Sequence, residues 1–236
     1  MPQFSDDLFL GPAIGPQAFN QGAGNPSVPD RGVGPLGRVY VFDVVPATAA
    51  ANNICTSQTV STANAVLNGT LVASGVATPD IPRCLQMAAA VGNTSNVTVT
   101  GTDYYGRTQT ETRALNGTTT VNFLKAFKTI TQVFVNGAVT TFTLGTGNTL
   151  GLPYRVTNAA YVAHVGWNSA LARDAGTFTA ADTTSPATAS TGDVRGTYLP
   201  SSAADGVKRL VMVLALPALA VGPNATTVGA IGVTPA

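Results

Sequence analysis

The chain has 236 residues, of which 44% are hydrophobic and only 10% are charged. Twelve Lys and Arg against eleven Asp and Glu leave a net charge of +1, which is too small for binding nucleic acid through a basic surface. Disordered chains combine few apolar residues with a high net charge, and this composition shows neither. The polar residues are mostly Thr and Asn, with 25 Gly and 15 Pro, which is typical of strands joined by tight turns. Such a weakly charged surface is poor at keeping a free monomer apart from its neighbours.

Residues 1–37 differ in composition from the rest of the chain. They are rich in Gly, Pro, Gln and Asn and show no sustained period of 2 or 3.6 residues, so they cannot form a core of their own. They nevertheless carry more large apolar side chains than a solvated linker needs. We predict an extended N-terminal arm that lies along its own domain or along a neighbouring subunit. The candidate interface residues in this arm are Phe4, Leu8, Phe9, Leu10 and Phe19.

The other end of the chain, residues 217–236, is a second uncharged segment, which we predict to be an extended C-terminal tail. The most apolar stretch, residues 210–221, runs into it. This stretch is shorter than the roughly 20 residues of a membrane helix and is interrupted by Pro217. We therefore predict a buried strand that ends at Pro217, and no contact with a membrane.

The strand signals lie between these two segments, in residues 38–216. Residues 39–45 are an apolar run of β-branched and aromatic side chains that ends at Pro46. In residues 96–102, Val alternates with Thr, and a turn follows at 103–107. Residues 108–115 then return with the same period of two. This pattern predicts an antiparallel hairpin with one solvent-exposed face, on which Glu111 lies. Asn-Gly pairs predict turns at 68–69, 116–117 and 136–137.

The remaining segments complete an all-β prediction. Residues 84–91 are either a strand or a short helical turn, and further strands are predicted at 123–135, 139–144, 151–156, 161–167 and 207–216. The last of these is apolar on both faces and is therefore predicted to be central. Residues 175–200 read as a long surface excursion or a projecting hairpin, within a long loop, 175–206. We predict an all-β core at 38–216, either an antiparallel, jelly-roll-like β-sandwich or a barrel, with extended N- and C-terminal arms.

Few residues suit catalysis. His164 is the only histidine and alternates within a strand, so we predict a structural role for it. Asp103 and Glu111 could face each other across the hairpin turn, as the two carboxylates of a glycosidase do, but a turn also favours Asp at position 103. The sequence contains neither a nucleophile elbow nor a phosphate-binding Gly-rich loop. We predict that the protein is not an enzyme, with no catalytic residue and no small-molecule substrate.

The cysteines and basic residues likewise predict no cofactor and no nucleic-acid site. One His and two Cys are too few for a structural zinc site, and the acidic residues are too scattered for a calcium site. Cys55 and Cys84 either form a disulfide or remain two buried free thiols. Four of the basic residues read as solvated or interface charges rather than as a nucleic-acid patch. They are Lys125, Lys128, Lys208 and Arg209.

Aromatic side chains are better candidates for a binding surface, because they dominate the energetics of interfaces. Tyr104 and Tyr105 lie at the predicted hairpin tip and are candidate interface residues. Phe123, Phe127 and Trp167 are further candidates, for which packing in the core is the alternative. The two tyrosines and Trp167 also leave open a carbohydrate-binding β-sandwich.

Several stretches of the sequence resemble structural proteins of tailed-bacteriophage virions. They are residues 97–106, with the sequence VTVTGTDYYG, and residues 110–112, 115–118, 125–130 and 193–200. Within that group the chain is most similar to capsid cement (decoration) proteins, which sit on the outer shell, often as trimers, and clamp neighbouring major capsid subunits. The resemblance covers only part of the chain and brings no catalytic residues with it.

The resemblance implies a non-enzymatic virion protein on the outer surface of a phage capsid. Its implied partners are the major capsid protein and, in a homotrimer, further copies of itself. A tail, neck or head-fibre protein is the alternative within the virion, and a carbohydrate-binding module is the alternative outside it. The weakly charged ends are consistent with assembly, because an arm that reaches a neighbour gains affinity once a first contact is made.

Overall fold

The computed structural model describes residues 38–168, 170–184 and 186–216, whose regular secondary structure consists almost entirely of antiparallel strands. The predicted arm and tail, with Phe4, Leu8, Phe9, Leu10 and Phe19, lie outside the described residues. The strands are β1 (Arg38–Val44), β2 (Ala50–Asn64), β3 (Val72–Ala73), β4 (Val76–Ala77), β5 (Arg83–Ala88), β6 (Asn96–Thr102), β7 (Thr108–Ala114), β8 (Val121–Phe127), β9 (Thr129–Gly151), β10 (Val162–Trp167), β11 (Thr177–Thr179), β12 (Thr197–Leu199) and β13 (Leu210–Leu216). A 3-10 turn, Ala159–Tyr161, precedes β10.

Strand β13 is the middle of a three-stranded sheet, between β1 and β10. Met212 pairs with Phe42 on one side and with Val165 on the other. Residues of β13 alternate between buried and partly buried, because successive side chains of a strand point to opposite faces. The predicted central position of this strand is confirmed, and its two faces are not equivalent: one is buried in the core and the other is directed outward.

Strand β9 organises the second, larger sheet. Along its 23 residues it pairs in turn with β6, β4, β2, β5 and β12. The strands β7, β8, β3 and β11 then extend the sheet through β6, β5, β4 and β12. The prediction of an all-β, antiparallel fold is confirmed, and the described strands form open sheets rather than a closed barrel.

Two clusters of buried side chains form the core. The first lies within the larger sheet and includes Val97, Phe127 and Phe142. The second lies between the three-stranded sheet and the end of β9, where Met212 packs in the same cluster as Leu150. Full burial of one such side chain contributes about 1.5–3 kcal/mol. Because the second cluster draws on both sheets, it joins them into the sandwich-like fold.

The three predicted Asn-Gly turns have different outcomes. The turn at 116–117 is confirmed, since Gly117 has a φ of 56° and the Thr119 N–H donates to the Asn116 carbonyl at 3.0 Å. The prediction at 136–137 is wrong, because β9 continues through both residues. There the Asn136 side chain accepts the Asn96 N–H at 2.8 Å, and a side chain at position 137 would collide with Ser95. The chain therefore does not reverse at this pair, and the segment that contains Ser95 and Asn96 packs closely against it.

The turn predicted at Asn68 and Gly69 is not a two-residue hairpin. Both residues donate their N–H groups to the Ile54 carbonyl, at 3.2 and 2.9 Å, which packs the segment back against β2. The reversal occurs further on, at Ser74 and Gly75, which have φ values of 51° and 78° and join β3 to β4. A positive φ at both central residues is what a tight hairpin requires.

Most predicted strands have counterparts, with different boundaries. Residues 123–135 divide into β8 and the start of β9 at Lys128, and residues 84–91 contain the strand β5 rather than a helical turn. The strand predicted at 151–156 is wrong, because β9 ends at Gly151 and Pro153 has no N–H to donate to a ladder.

Residues 175–200, predicted to be a surface excursion or a projecting hairpin, include an antiparallel strand pair, and residues 175–192 are mostly exposed or partly buried. This segment contains β11 and β12, and its residues 193–198 are buried. Its Thr- and Ala-rich composition resembles that of a loop. Near its end, however, Asp193 and Arg195 are buried because they bind partners that are distant in sequence. Tertiary contacts therefore override the local composition.

Candidate functional site

The tip of the β6–β7 hairpin is a compact turn built on Asp103. Its Oδ1 atom accepts the N–H groups of Tyr105 at 2.9 Å and Arg107 at 2.8 Å, and Gly106 has a φ of 79°. An Asp side chain that accepts the backbone N–H two residues on is a recurrent turn-forming contact. The prediction of a turn with Asp103 at its start is confirmed.

The two tip tyrosines lie against the rest of the protein. The Tyr105 hydroxyl donates to the Pro153 carbonyl at 2.6 Å, and the Arg195 guanidinium lies 5.2 Å from the centre of the Tyr105 ring. Tyr104 is partly buried and packs against the second core cluster. Tyr105 remains 45% exposed, so it still offers one apolar surface to a partner. Their role at an interface stays a prediction.

Beneath this turn, Asp103 forms a buried ion pair with Arg195 through its second oxygen, Oδ2. Both side chains are almost completely shielded from solvent. The loop that carries Arg195 is fixed by Asp193, whose Oδ1 accepts the N–H groups of Arg195 at 2.8 Å and of Gly196 at 3.1 Å. The hairpin tip is therefore locked to a segment more than 90 residues away in sequence.

Polar side chains of β7 and of the 182–196 loop cover one edge of β8. Glu111 accepts the Leu124 N–H at 2.8 Å through Oε1 and the Lys125 N–H at 2.7 Å through Oε2. Gln109 donates to the Ala126 carbonyl at 2.6 Å, and Asp193 accepts the Ala126 N–H at 2.9 Å. We call Gln109, Glu111, Lys125 and Asp193 the polar seam. Their side chains supply hydrogen bonds that an adjacent strand would otherwise provide.

The placement of Glu111 on a solvent-exposed face is wrong. Glu111 pairs with Val99 in the β6–β7 ladder, and residues directly opposite each other share one face of a sheet. Since Val99 is buried, Glu111 is buried with it. Burial raises the pKa of Glu111 to about 7, although its two backbone hydrogen bonds act in the opposite direction. Asp103 and Glu111 are thus engaged separately, not as a catalytic pair.

Lys125 was predicted to be solvated or at an interface, and its burial shows that it is not solvated. Its ammonium group donates to the carbonyls of Thr110 at 2.9 Å and Thr188 at 2.8 Å. Burial lowers the pKa of Lys125 and raises that of Asp193. The aliphatic part of Lys125 is enclosed, and its charge is held by carbonyl oxygens and by the carboxylates of the polar seam.

The other basic residues singled out from the sequence also have defined partners. The Lys128 ammonium donates to the Asp80 carbonyl at 3.0 Å, and Lys208 pairs with Asp205 at 3.5 Å on the surface. Arg209 forms a two-point ion pair with Asp43, which lowers the pKa of Asp43. These charges stabilise loops and sheet edges within the chain.

The remaining candidates for chemistry are also accounted for by local contacts. The His164 Nε2 atom lies 3.2 Å from the Ala170 carbonyl, as expected for a structural histidine. Cys55 and Cys84 are buried free thiols, so of the two predicted alternatives the disulfide is absent. Burial raises the pKa of Cys55 to about 12 and holds the pKa of Cys84 well above its usual value, which keeps both thiols protonated. Trp167 packs against the second core cluster.

A groove of about 450 Å³ lies beside the polar seam, between β8 and β12. Leu124 and Leu199 line it together with Thr177, Thr179 and Thr197. Its two carboxylates are engaged, since Asp182 accepts the N–H groups of Thr184 and Gly192, and Asp193 belongs to the seam. Across residues 38–216, apart from 169 and 185, no three His, Cys, Asp or Glu side chains cluster so as to hold a metal ion.

The outward face of the three-stranded sheet is a feature that the sequence analysis missed. Its apolar side chains are Val39, Val41, Val211, Val213 and Ala215, and we call this set the outer sheet face. The same side of the sheet carries Asp43 opposite Val211 and His164 opposite Val213. Val41 is 63% exposed, and the three β13 residues are partly buried. The strict alternation of burial in β13 could not be read from a run that is apolar at every position. In the described part of the chain, no helix has the length and hydropathy needed to cross a membrane.

Comparison with models of protein families, with curated proteins and with solved structures finds no match for the chain.

Proposed function

We propose that the chain is a non-enzymatic structural protein of a tailed-bacteriophage virion. It binds the outer surface of the capsid and stabilises the shell by bridging neighbouring major capsid subunits. It acts as a homotrimer, without a cofactor, nucleic acid or small-molecule substrate.

The observation that carries this proposal is the way the phage-like stretches of sequence meet in space. Residues 97–130 and 193–200 are far apart in the chain, yet they form one hydrogen-bonded unit. Asp103 pairs with Arg195, Glu111 accepts two N–H groups of β8, and Asp193 accepts the Ala126 N–H. The resemblance therefore falls on a single structural module rather than on scattered short matches.

Two further properties of the described residues support an assembly role. The outer sheet face leaves Val41 63% exposed beside four partly buried apolar side chains, which is compatible with a site of association. The groups that would serve in acid–base or nucleophilic catalysis make structural contacts instead. Glu111 is held by two backbone N–H groups, and both thiols are buried.

Quantitative mass spectrometry of virions from cells that carry the gene tests the proposal. A cement protein should be present at a fixed ratio to the major capsid protein, in hundreds of copies per particle. A tail, neck or head-fibre protein is the alternative within the virion, and a tail or neck protein should number only about a dozen copies per particle. Absence from purified virions would refute both positions.

A further inference from the structure

The tetrapeptide Leu-Asn-Gly-Thr occurs twice in the sequence, at residues 67–70 and 115–118. The two copies have different surroundings in the fold. The first packs back against β2, whereas the second forms the turn that follows β7. Because the local sequence is the same, any difference in the chemistry of these two Asn-Gly pairs arises from the tertiary structure.

An Asn-Gly pair is a place where a chain can modify itself, because Asn is chemically labile and Gly has no side chain to shield its backbone nitrogen. The Gly nitrogen attacks the side-chain carbonyl carbon of Asn and forms a C–N bond. The carboxamide nitrogen leaves as ammonia, with the proton of the attacking N–H. Water then opens the five-membered imide ring at either carbonyl and yields aspartate or isoaspartate. Nothing is oxidised or reduced, and water is the only co-reactant.

The first copy of the tetrapeptide holds both reacting groups. The Asn68 Oδ1 atom accepts the Thr56 N–H at 2.8 Å, which fixes the carboxamide. The Gly69 N–H donates to the Ile54 carbonyl at 2.9 Å. A side chain at position 69 would begin only 2.1 Å from the backbone of Asn53, so this segment is tightly enclosed. Attack on the Asn68 side chain therefore requires both hydrogen bonds to break.

The third Asn-Gly pair, Asn136 and Gly137, is also held at its carboxamide. The Asn136 Oδ1 atom accepts the Asn96 N–H at 2.8 Å, and both residues of the pair continue the strand β9. Rotation of the carboxamide towards the Gly137 nitrogen therefore costs a hydrogen bond, as it does at Asn68.

The second copy of the tetrapeptide holds only one of the two groups. The Gly117 N–H donates to the Asn93 carbonyl at 2.8 Å. The Asn116 carboxamide is exposed and has no hydrogen-bond partner among the described residues. Asn68 and Asn136 are exposed as well, so access of water does not distinguish the three pairs. We propose that Asn116 is a site of spontaneous deamidation in the folded protein, and that the hydrogen bonds of Asn68 and Asn136 protect them.

The two products differ in their effect on the turn. Gly117 accepts the Ala89 N–H at 3.0 Å, and the preceding Leu115 is buried in the first core cluster. Isoaspartate at position 116 lengthens the backbone between Leu115 and Gly117, so these contacts cannot all be kept. Aspartate at the same position keeps the backbone and adds only a charge.

Peptide mapping by mass spectrometry of the full-length protein, incubated at mildly alkaline pH, tests the inference. The conversion of amide to acid is followed with time at each of the three pairs. Asn116 should react at least about fivefold faster than Asn68 or Asn136, the factor that corresponds to one net hydrogen bond. The matched control is the same protein unfolded in guanidinium chloride. There the two copies of the tetrapeptide should react at equal rates.

Two results would overturn the inference. One is equal conversion of Asn68 and Asn116 in the folded protein. The other is a folded protein in which Asn116 does not react while the unfolded protein reacts, which would show that the hydrogen bond from Gly117 to Asn93 is sufficient protection.

A matched variant, Asn116→Gln, removes the reactive pair but keeps a carboxamide at this position. Ion-exchange chromatography should detect an acidic species that accumulates in the parent protein and not in this variant. An acidic species that accumulates equally in both proteins would place the modification elsewhere and contradict the inference.

Amide hydrogen exchange tests the effect on the turn. Exchange at Ala89 and Gly117 should be faster in the isoaspartate form than in an Asn116→Asp variant, and equal exchange in the two would contradict the structural consequence. None of these outcomes depends on the proposed function, since the reaction requires only the folded chain and water.

Discussion

The polar seam and the three-stranded sheet differ in the kind of side chain that they bury and in the kind that they leave at the surface. The seam buries charged and amide side chains and uses them to complete the hydrogen bonds of β8. The middle strand of the three-stranded sheet, β13, has apolar side chains on both faces, of which one is buried and the other is partly exposed. The comparison teaches that buried polar contacts can fix the interior while apolar side chains remain at the surface.

Breaking the ion pair under the hairpin tip should produce the largest effect. Asp103→Asn removes the buried negative charge and leaves Arg195 uncompensated, which costs about 3–5 kcal/mol. Urea unfolding of the variant and the parent measures this difference. The matched control is Asp43→Asn, which removes a surface ion pair with Arg209 and should change stability far less. Equal losses in the two variants would contradict the account of a locked hairpin tip.

The pH dependence of stability should reveal the buried carboxyl of the seam. The pKa of Glu111 is about 7 in the folded chain and 4.5 in its ordinary state, so the folded chain holds this proton more tightly. Glu111 therefore contributes stability that is complete below pH 4.5 and is lost as the pH rises through 7. The loss is on the order of 3 kcal/mol.

Glu111→Gln removes this titration, so its free energy of unfolding should change less than the parent's between pH 4.5 and pH 7.5. The exposed acid Asp205 provides the control, because Asp205→Asn leaves Glu111 in place and should retain the parent's slope over the same range. A parent whose stability rises over this range relative to Glu111→Gln would contradict the assignment.

A smaller effect is expected from the amide of the seam. Gln109→Leu removes the hydrogen bond to the Ala126 carbonyl and should destabilise the chain by about 1 kcal/mol. Thr110→Val changes the neighbouring residue on the opposite face of β7 and should shift stability by less than about 0.5 kcal/mol. Thermal unfolding of both variants measures the difference in stability. A larger loss of stability for Thr110→Val than for Gln109→Leu would contradict the assignment of Gln109 to the buried face of β7.

The smallest effect on folding is expected at the outer sheet face. Val41→Ser should change the free energy of unfolding of the separated chain by less than about 0.5 kcal/mol, because the side chain is mostly exposed. Val66→Ser, with almost the same exposure, should behave alike. Denaturant unfolding at a concentration below that of oligomer dissociation makes the comparison. A loss of several kcal/mol for Val41→Ser alone would mean that the same chain already covers Val41.

The local features of the fold could be predicted from the sequence. The β6–β7 hairpin follows from a regular alternation and from Asp103 at its turn, which act over a few residues. The central position of β13 follows from its apolar run. The face that Glu111 occupies could not be predicted from β7 alone, because six of its seven residues are polar and do not distinguish the buried face from the exposed one.

The long-range features could not be predicted in this way. Arg195 and Asp193 lie in a segment with the composition of a loop, and only their partners Asp103 and Ala126 explain their burial. Asn136 and Gly137 have the composition of a turn, but β9 continues through them and pairs with β2 on both sides, at Val135 and Ala138. In each case the decisive contact joins residues that are remote in sequence, which no local pattern encodes.

The most direct test of the central proposal is to locate the chain in an imaged virion. Cryo-electron microscopy of purified particles, with the described residues fitted as a rigid body, should place copies on the outside of the capsid at symmetric positions between neighbouring major capsid subunits. Density for the chain confined to the tail or neck, or particles that contain none of it, would contradict the proposed capsid role.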